Sequence, residues 1–285
     1  MIHYITCHFG TDELIDIQLQ HIKQFTDVDY KVWMSYTTPS KDEEWPRTWF
    51  HDEIRDNHTN IIAENKDKCH HFEFIPITST PFSERFTIHD LSDGRRFVGS
   101  QNHQNNLHIL TDRVLDDKDT QDTDILVWLD SDALLIDNSI NDIICDSAQM
   151  FTAVQRDNRQ NPRQDALLMP HPSFACCSVQ FFNYHNLNWL GGGAYKESNN
   201  NNIFTDTGGF IYAYFEDKKI DWYKLRKTRS LNNDFRFEIY NDKILHITNA
   251  QLCNTRQCLF AETKQDAEYV KIYNDIIAGK YLNGI

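Results

Sequence analysis

Short apolar runs that alternate with amphipathic stretches predict an α/β fold. The run Ile2–Phe9 is rich in β-branched and aromatic residues and stops at Gly10, which favours a buried strand. Apolar residues at helical spacing over residues 14–25 predict a helix, and residues 30–36 predict a second strand. A strand, a helix and a second strand in this order favour a parallel sheet with a right-handed crossover.

The most apolar run of the chain covers residues 124–129, as expected of a central strand that is covered on both faces. Other segments give weaker signals, and residues 210–215 are compatible with either a helix or a strand. Further strands are predicted at residues 72–77, 150–154 and 244–247, and further helices at residues 97–115, 140–144 and 269–278.

Composition excludes several classes of protein. The chain has 285 residues, 40% of them hydrophobic, so global disorder is excluded. Its 42 acidic and 28 basic residues give a net charge of −14, which argues against nucleic acid and anionic lipid as partners. No apolar stretch approaches the roughly 20 residues that a membrane-spanning helix needs, and no signal peptide is expected. Seven cysteines without a Cys-x-x-Cys pair indicate reduced thiols, so we expect a cytoplasmic protein.

The strongest candidate for chemistry is Asp130-Ser131-Asp132, directly after the apolar strand. Ligands of open α/β sheets bind beyond the carboxyl ends of the strands. Alternation in an extended segment points both carboxylates the same way, and together they would form an oxygen site for Mg²⁺ or Mn²⁺ that can hold a diphosphate. The alternative is a solvated turn in which Asp132 caps a helix.

An apolar strand that runs into Asp-x-Asp after an N-terminal β-α-β unit resembles the nucleotide-sugar glycosyltransferases of the GT-A fold. Residues 99–107 resemble the segment before the metal motif that contacts the donor in these enzymes. His171-Pro172-Ser173-Phe174 resembles the family's His-Pro-x-Phe stretch, and residues 206–209 resemble an acidic motif on the acceptor side. The resemblance covers about residues 1–250. Polar residues at 104–106 replace an expected glycine, and the Glu-Asp pair of many inverting members is absent.

The resemblance implies a Rossmann-type, mixed and mostly parallel sheet flanked by helices. It implies a catalytic domain over residues 1–250, with a nucleotide-sugar half at about 1–137 and an acceptor half at about 138–250. Residues 251–285 would form a helical extension. The implied activity is metal-dependent transfer of a hexosyl or pentosyl group from a nucleoside diphosphate sugar, in most cases a UDP-sugar, to a hydroxyl of a glycan or other acceptor. We expect inversion at the anomeric centre, although retention stays open.

The resemblance also assigns roles to individual residues, each of which has a structural alternative. Asp206 would be the general base, or else a cap or turn residue. His246 would join the metal ligands, or else pack in its apolar strand. The expected metal ligands are Asp130, Asp132 and His246, and the expected donor contacts are Thr6, Tyr36, His103, Asn106, Asp130 and Ser131.

Two other functions remain open at this stage. Phosphatases and phosphotransferases of the haloacid dehalogenase type also carry Asp-x-Asp after a strand, with the first Asp as nucleophile. Their motif normally lies on the first strand and is followed by Thr or Val, whereas Ala133 follows here. A non-catalytic module that binds a sugar nucleotide or a glycan is the other alternative. The oligomeric state is not predicted.

Overall fold

The computed structural model describes residues 1–9, 11–37, 58–75, 98–155, 169–189, 194–196, 202–204, 207–234, 236–247 and 264–281. The strands in chain order are β1 (Ile2–Phe9), β2 (Tyr30–Thr37), β3 (His71–Phe74), β4 (Ile125–Trp128), β5 (Ala133–Leu135), β6 (Thr152–Gln155), β7 (Pro170–Ser178), β8 (Ala194–Lys196), β9 (Asn202–Phe204), β10 (Tyr223–Leu225), β11 (Lys227–Ser230), β12 (Phe237–Tyr240) and β13 (Ile244–Ile247). The α-helices are α1 (Glu13–Phe25), α2 (His58–Asn65), α3 (Val98–Leu115), α4 (Ile140–Asp146), α5 (Val179–Tyr184), α6 (Gly209–Lys218) and α7 (Lys264–Ile277).

Seven strands form the main sheet, in the order β10-β6-β7-β4-β1-β2-β3. Strand β1 is parallel to β2 and to β4, and β2 is parallel to β3. Strand β7 is antiparallel to both of its neighbours, β4 and β6, whereas β10 is parallel to β6. The predicted mixed, mostly parallel sheet is therefore confirmed.

Helices cover both faces of this sheet. Consecutive residues of β1 point to opposite sides, so Tyr4 joins one apolar cluster with Ile15 of α1, and Ile5 joins another with Leu107 of α3. Both clusters are made of buried side chains, and partly buried ones pack against them. The central strand β4 contributes to each of them, as its uninterrupted apolar run predicted.

A second, antiparallel sheet has the order β11-β12-β13-β5. A third apolar cluster joins this sheet to α1 and to α7, with Leu134, Phe237 and Tyr273 among its members. The hydroxyl of Tyr273 is also hydrogen bonded to Glu13 of α1. Helix α7 lies within residues 251–285, and both the C-terminal extension and the domain divisions near residues 137 and 250 stay predictions.

Most of the predicted elements are present, with shifts of a few residues. The ambiguous segment at 210–215 belongs to helix α6, and the strand expected at 72–77 is the shorter β3. The sequence did not predict β7 or the strands β10 to β12. Within the described residues, no helix combines the length and the apolar character that crossing a bilayer requires.

Candidate active site

The Asp-x-Asp motif forms a turn that leaves the main sheet and enters the small one. Backbone hydrogen bonds hold its start: Leu129 N–H donates to Ile5 O (3.0 Å), and Asp130 N–H donates to Pro172 O (3.0 Å). Ala133 N–H then closes the turn on Asp130 O (2.9 Å) and begins β5. Asp130, Ser131 and Asp132 are all buried. The motif is therefore a fixed part of the fold and not a solvated turn.

Strand pairing brings His246 to this turn. Strand β13 is antiparallel to β5 with His246 opposite Ala133, and Ile247 N–H donates to Asp132 O (2.8 Å). As a result, His246 Nε2 lies 3.5 Å from Asp132 Oδ1. One ligand atom each from Asp130, Asp132 and His246 lies within 4.8 Å of the others. The structure thus brings together the three residues that the sequence analysis proposed as metal ligands.

The chemistry of this group fits a divalent cation. Two carboxylates and one imidazole offer the oxygen and nitrogen donors that such ions take in proteins. Asp130 Oδ1 is buried and makes no hydrogen bond of acceptable geometry among the described residues. Two buried carboxylates placed side by side repel each other, and a cation between them would offset that repulsion.

Glu238 lies next to His246 on the side of the ring that carries Nδ1, whereas Asp132 lies near Nε2. It is paired directly with His246 across β12 and β13, and its Oε2 lies 3.7 Å from His246 Nδ1. The Glu238 carboxylate also accepts hydrogen bonds from Lys227 Nζ (2.9 Å) and from Tyr240 Oη (2.7 Å). Burial by itself raises the pKa of Glu238, but the neighbouring His246 and the hydrogen bonds from Lys227 and Tyr240 lower it to about 2. Glu238 is therefore an ionised acceptor aimed at the outer nitrogen of His246.

The protonation of His246 follows from the same neighbours. Burial lowers the pKa of its imidazole, but the carboxylates of Asp132, Glu238 and Asp130 together raise it to about 9. In the metal-free protein His246 is consequently protonated at neutral pH, and its positive charge balances part of the surrounding negative charge. A cation that takes Nε2 as a ligand has to displace that proton.

Two more histidines border Asp130. His103 of α3 places Nε2 3.0 Å from Asp130 Oδ1. His171 of β7 places Nδ1 3.7 Å from Asp130 Oδ2, and the same nitrogen accepts the backbone N–H of Ser173 (3.1 Å). The rings of His171 and His246 lie 5.8 Å apart, centroid to centroid. The sequence had marked His103 as a donor contact, whereas His171 stood out only as part of a family-like motif.

The remaining predicted donor contacts lie around the same edge of the sheet. Thr6 is fully buried and donates to Gln18 Oε1 (2.9 Å), and Tyr36 is fully buried near the end of β2. Asn106 is buried, so it does not lie on an exposed helix face, and its Nδ2 donates to Thr37 Oγ1 (2.6 Å). The roles of these residues and of Ser131 in binding a donor stay predictions.

Asp206, the predicted general base, lies outside the described residues, and its role also stays a prediction. Gly208, two residues after Asp206, is described and caps the N-terminus of α6 with a φ of 98°. Its Cα is so close to β7 that a Cβ at this position would meet Pro170 O at 2.1 Å. Only glycine satisfies both conditions, which accounts for the glycine at position 208.

Sequence reasoning missed Glu238 and Gln18 as site residues. A signal existed for Gln18, because it is a polar residue on the apolar face of α1 and is fully buried. A buried amide needs hydrogen-bond partners, so its position could have indicated a polar contact with the strand ends. No comparable signal marks Glu238, whose neighbourhood depends on the pairing of β12 with β13.

No protein-family model and no curated protein matches the chain. Among solved structures, it is similar to TarS of S. aureus, with a TM-score of 0.36, 8% identity, and coverage of 66% of this chain and 30% of TarS. It is similar to the mannosyltransferase PcManGT from Pyrobaculum calidifontis, in complex with GDP-Man and Mn²⁺, with a TM-score of 0.34, 12% identity, and coverage of 68% and 47%. It is also similar to the galactosyltransferase LgtC, in complex with donor and acceptor sugar analogs, with a TM-score of 0.34, 11% identity, and coverage of 78% and 66%.

The chain spans between 30% and 50% of the length of the TarS chains that it resembles. Two of the similar structures are named as sugar transferases. Similarity at this distance does not assign an activity. The fold class rests on the strand order of the main sheet, and the candidate site rests on its own geometry.

Proposed function

We propose that the protein is a metal-dependent glycosyltransferase that moves a sugar from a nucleoside diphosphate sugar, a UDP-sugar in the first instance, to a hydroxyl of a glycan or other acceptor. The observation that carries this proposal is the buried group of Asp130, Asp132 and His246. The group lies just beyond the carboxyl end of β4, where an open α/β sheet binds its ligand.

The donor side of the reaction would use this group directly. Asp130, Asp132 and His246 would hold Mn²⁺ or Mg²⁺, which when bound supplies positive charge against the negative charge that builds on the leaving diphosphate. The Glu238 carboxylate, with Oε2 3.7 Å from His246 Nδ1, would favour by its charge the orientation of the ring that turns Nε2 towards the metal. His103, with Nε2 at the rim of the group, can donate to a phosphate oxygen. Thr6, Tyr36, Asn106 and Ser131 are the proposed further contacts to the nucleotide sugar.

The acceptor side would use Asp206 as a general base. The acceptor oxygen attacks the anomeric carbon, the bond from that carbon to the diphosphate oxygen breaks, and the acceptor proton passes to Asp206. This sequence inverts the anomeric centre. In a retaining reaction the leaving phosphate could take the proton instead, so the role of Asp206 depends on the stereochemistry.

Release of nucleotide from a panel of UDP- and GDP-sugars, with Mn²⁺, Mg²⁺ or a chelator, tests the proposal. We expect release that requires the cation and is lost in Asp132→Asn. The control is Asp146→Asn, which changes an exposed aspartate at the end of α4 and should leave release unchanged. Release of inorganic phosphate from phosphate monoesters without nucleotide release would instead show a phosphatase. Binding of a sugar nucleotide without turnover of any donor or acceptor would show a binding module.

A further inference from the structure

Gln18 connects helix α1 to both ends of the Asp-x-Asp turn. Its side chain is fully buried. Its Nε2 donates to Asp130 O (2.7 Å) and to Ala133 O (3.1 Å), the carbonyls at the first Asp of the motif and directly after the second. One amide group therefore spans the turn that carries two of the three proposed ligands.

Two side chains of β1 fix the orientation of this amide. Gln18 Oε1 accepts from Thr6 Oγ1 (2.9 Å) and from His8 Nε2 (3.1 Å). Burial lowers the pKa of His8 to about 4, so its ring is neutral and carries one proton. With that proton on Nε2 the ring donates to Gln18, and Nδ1 can then accept from Thr11 Oγ1 (3.2 Å). The amide thus uses both of its N–H groups and both lone pairs of its oxygen, and a flipped amide would lose these bonds.

A second residue of α1 provides a built-in comparison. The hydrogen bonds of β5 to β13 run through alternate residues, since Ile247 N–H donates to Asp132 O and Ile136 N–H donates to Lys243 O. The carbonyls of Ala133 and Leu135 therefore face α1. Gln18 satisfies the first, and His21 Nδ1 donates to the second (2.6 Å). Gln18 and His21 both donate hydrogen bonds to the open edge of β5. Of the two, only Gln18 also donates to Asp130 O.

We propose that Gln18 is a positioning residue for the metal group, which sets the direction of the Asp130 and Asp132 carboxylates relative to His246. The inference rests on the proposed metal-dependent function. His246 is fixed separately, by the pairing of β13 with β5. Without the amide, Asp130 O keeps among the described residues only its bond from Ala133 N–H, while Ile247 N–H still holds Asp132 O beside His246. We therefore expect a small rotation at the Asp130 end of the turn, away from the fixed imidazole. Ligands must be held within about 0.5 Å of the working geometry, so a small rotation is enough to weaken binding.

Mn²⁺ binding to the protein alone, without a donor sugar, tests this role. Gln18→Met keeps the length of the side chain but cannot donate to either carbonyl, and His21→Leu removes the matched contact to Leu135. We expect both variants to lower the melting temperature, because each leaves a buried carbonyl without its partner. We expect only Gln18→Met to weaken the Mn²⁺ affinity, by about 10- to 100-fold, as loss of an outer support of a metal ligand does. Calorimetry or the electron paramagnetic resonance of free Mn²⁺ measures both affinities.

The outcomes separate this inference from the proposed function. If the wild-type protein binds Mn²⁺ and Gln18→Met binds it equally well, the positioning role is overturned and the metal site stands. Equal weakening in Gln18→Met and His21→Leu would also overturn it, because the effect would then be general loosening. Absence of Mn²⁺ binding by the wild-type protein would overturn both ideas.

Thr6→Val decides the matter if Gln18→Met does not fold. This change removes one of the two bonds that orient the amide and leaves Gln18 in place. We expect the same direction of effect at a smaller size, and an unchanged Mn²⁺ affinity in Thr6→Val would count against the inference.

Discussion

The imidazole of His246 lies 3.5 Å from the carboxylate of Asp132 because β13 pairs with β5 immediately after the turn that carries Asp132. The small antiparallel sheet thereby completes a site that the main sheet begins. The side chains around this site, beginning with Glu238 next to His246, can be substituted one at a time, and the effects on metal binding and stability can be measured.

Glu238→Gln should weaken Mn²⁺ binding by about 10-fold or more, because a carboxylate behind a ligating histidine makes the imidazole a better ligand. Gln keeps the shape of Glu238 and can still meet Lys227 and Tyr240, so the fold should remain intact. Titration calorimetry gives the affinity, and Glu216→Gln, at an exposed position of α6, is the control. Equal affinities in the two variants would mean that Glu238 serves packing alone.

Mn²⁺ affinity should rise with pH. The pKa of His246 is about 9 in the metal-free protein, against an ordinary value of 6.5, so binding below pH 9 releases one proton. The affinity should then rise about 10-fold per pH unit, and calorimetry between pH 6 and 8 in buffers of different ionisation enthalpy counts the proton. In His246→Ala the proton release should disappear together with most of the affinity. Binding that is independent of pH in the wild-type protein would contradict this assignment.

The same raised pKa has the opposite effect on stability without metal. Since the folded protein holds the His246 proton more tightly than the unfolded chain, this interaction stabilises the fold fully below pH 6.5. The contribution is lost as the pH rises from 6.5 towards 9. Urea unfolding in the presence of a chelator should therefore show a decreasing free energy of unfolding over that interval, and His246→Ala should flatten the decrease.

Asp206→Asn should lower the rate of sugar transfer by about 10²- to 10⁴-fold while the donor affinity is kept, because a general base acts on the acceptor and not on donor binding. Initial rates of transfer and the anomeric configuration of the product, read by NMR, form one experiment. Near-normal turnover together with a retained configuration would show that Asp206 is a turn residue or an acceptor contact.

Gly208→Ala should destabilise the protein by more than Gly279→Ala. Both glycines have positive φ, 98° and 71°, and an alanine costs about 1–2 kcal/mol there from the backbone alone. At Gly208 the added Cβ would also lie 2.1 Å from Pro170 O, so the start of β7 has to move. Urea unfolding of the two variants isolates the effect of the contact. Equal decreases in the free energy of unfolding would show that the start of β7 moves away from the added Cβ without destabilising the fold.

The parts of the site that depend on local sequence could be predicted. The apolar run before Asp130 defines a buried strand, and the position of an acidic pair at its carboxyl end predicts a ligand site. Helix α1 was equally clear from the spacing of its apolar residues. In each case the pattern that predicts the element lies within a few neighbouring residues of the sequence.

Apart from His246, which only the family resemblance indicated, the parts that depend on distant pairing could not be predicted. Strand β7 begins Pro170-His171-Pro172, and proline is uncommon in an inner strand because it donates no hydrogen bond. The strand accommodates this start with a register shift against β6, and Pro172 contributes its carbonyl to Asp130 N–H. The contact of Glu238 with His246 likewise needs the β12–β13 register, which no local pattern specifies.

The turn at Asp130 to Asp132 is also where the chain passes from one sheet to the other, and its partner His246 belongs to the second sheet. A bound cation would add a cross-link between two sheets that are also joined by side-chain packing, by hydrogen bonds from α1 to β5, and by the backbone. Its binding energy would then oppose local unfolding of the small sheet and of α7, which shares the third apolar cluster with it. Occupancy of the candidate metal site and the integrity of helix α7 would be thermodynamically linked.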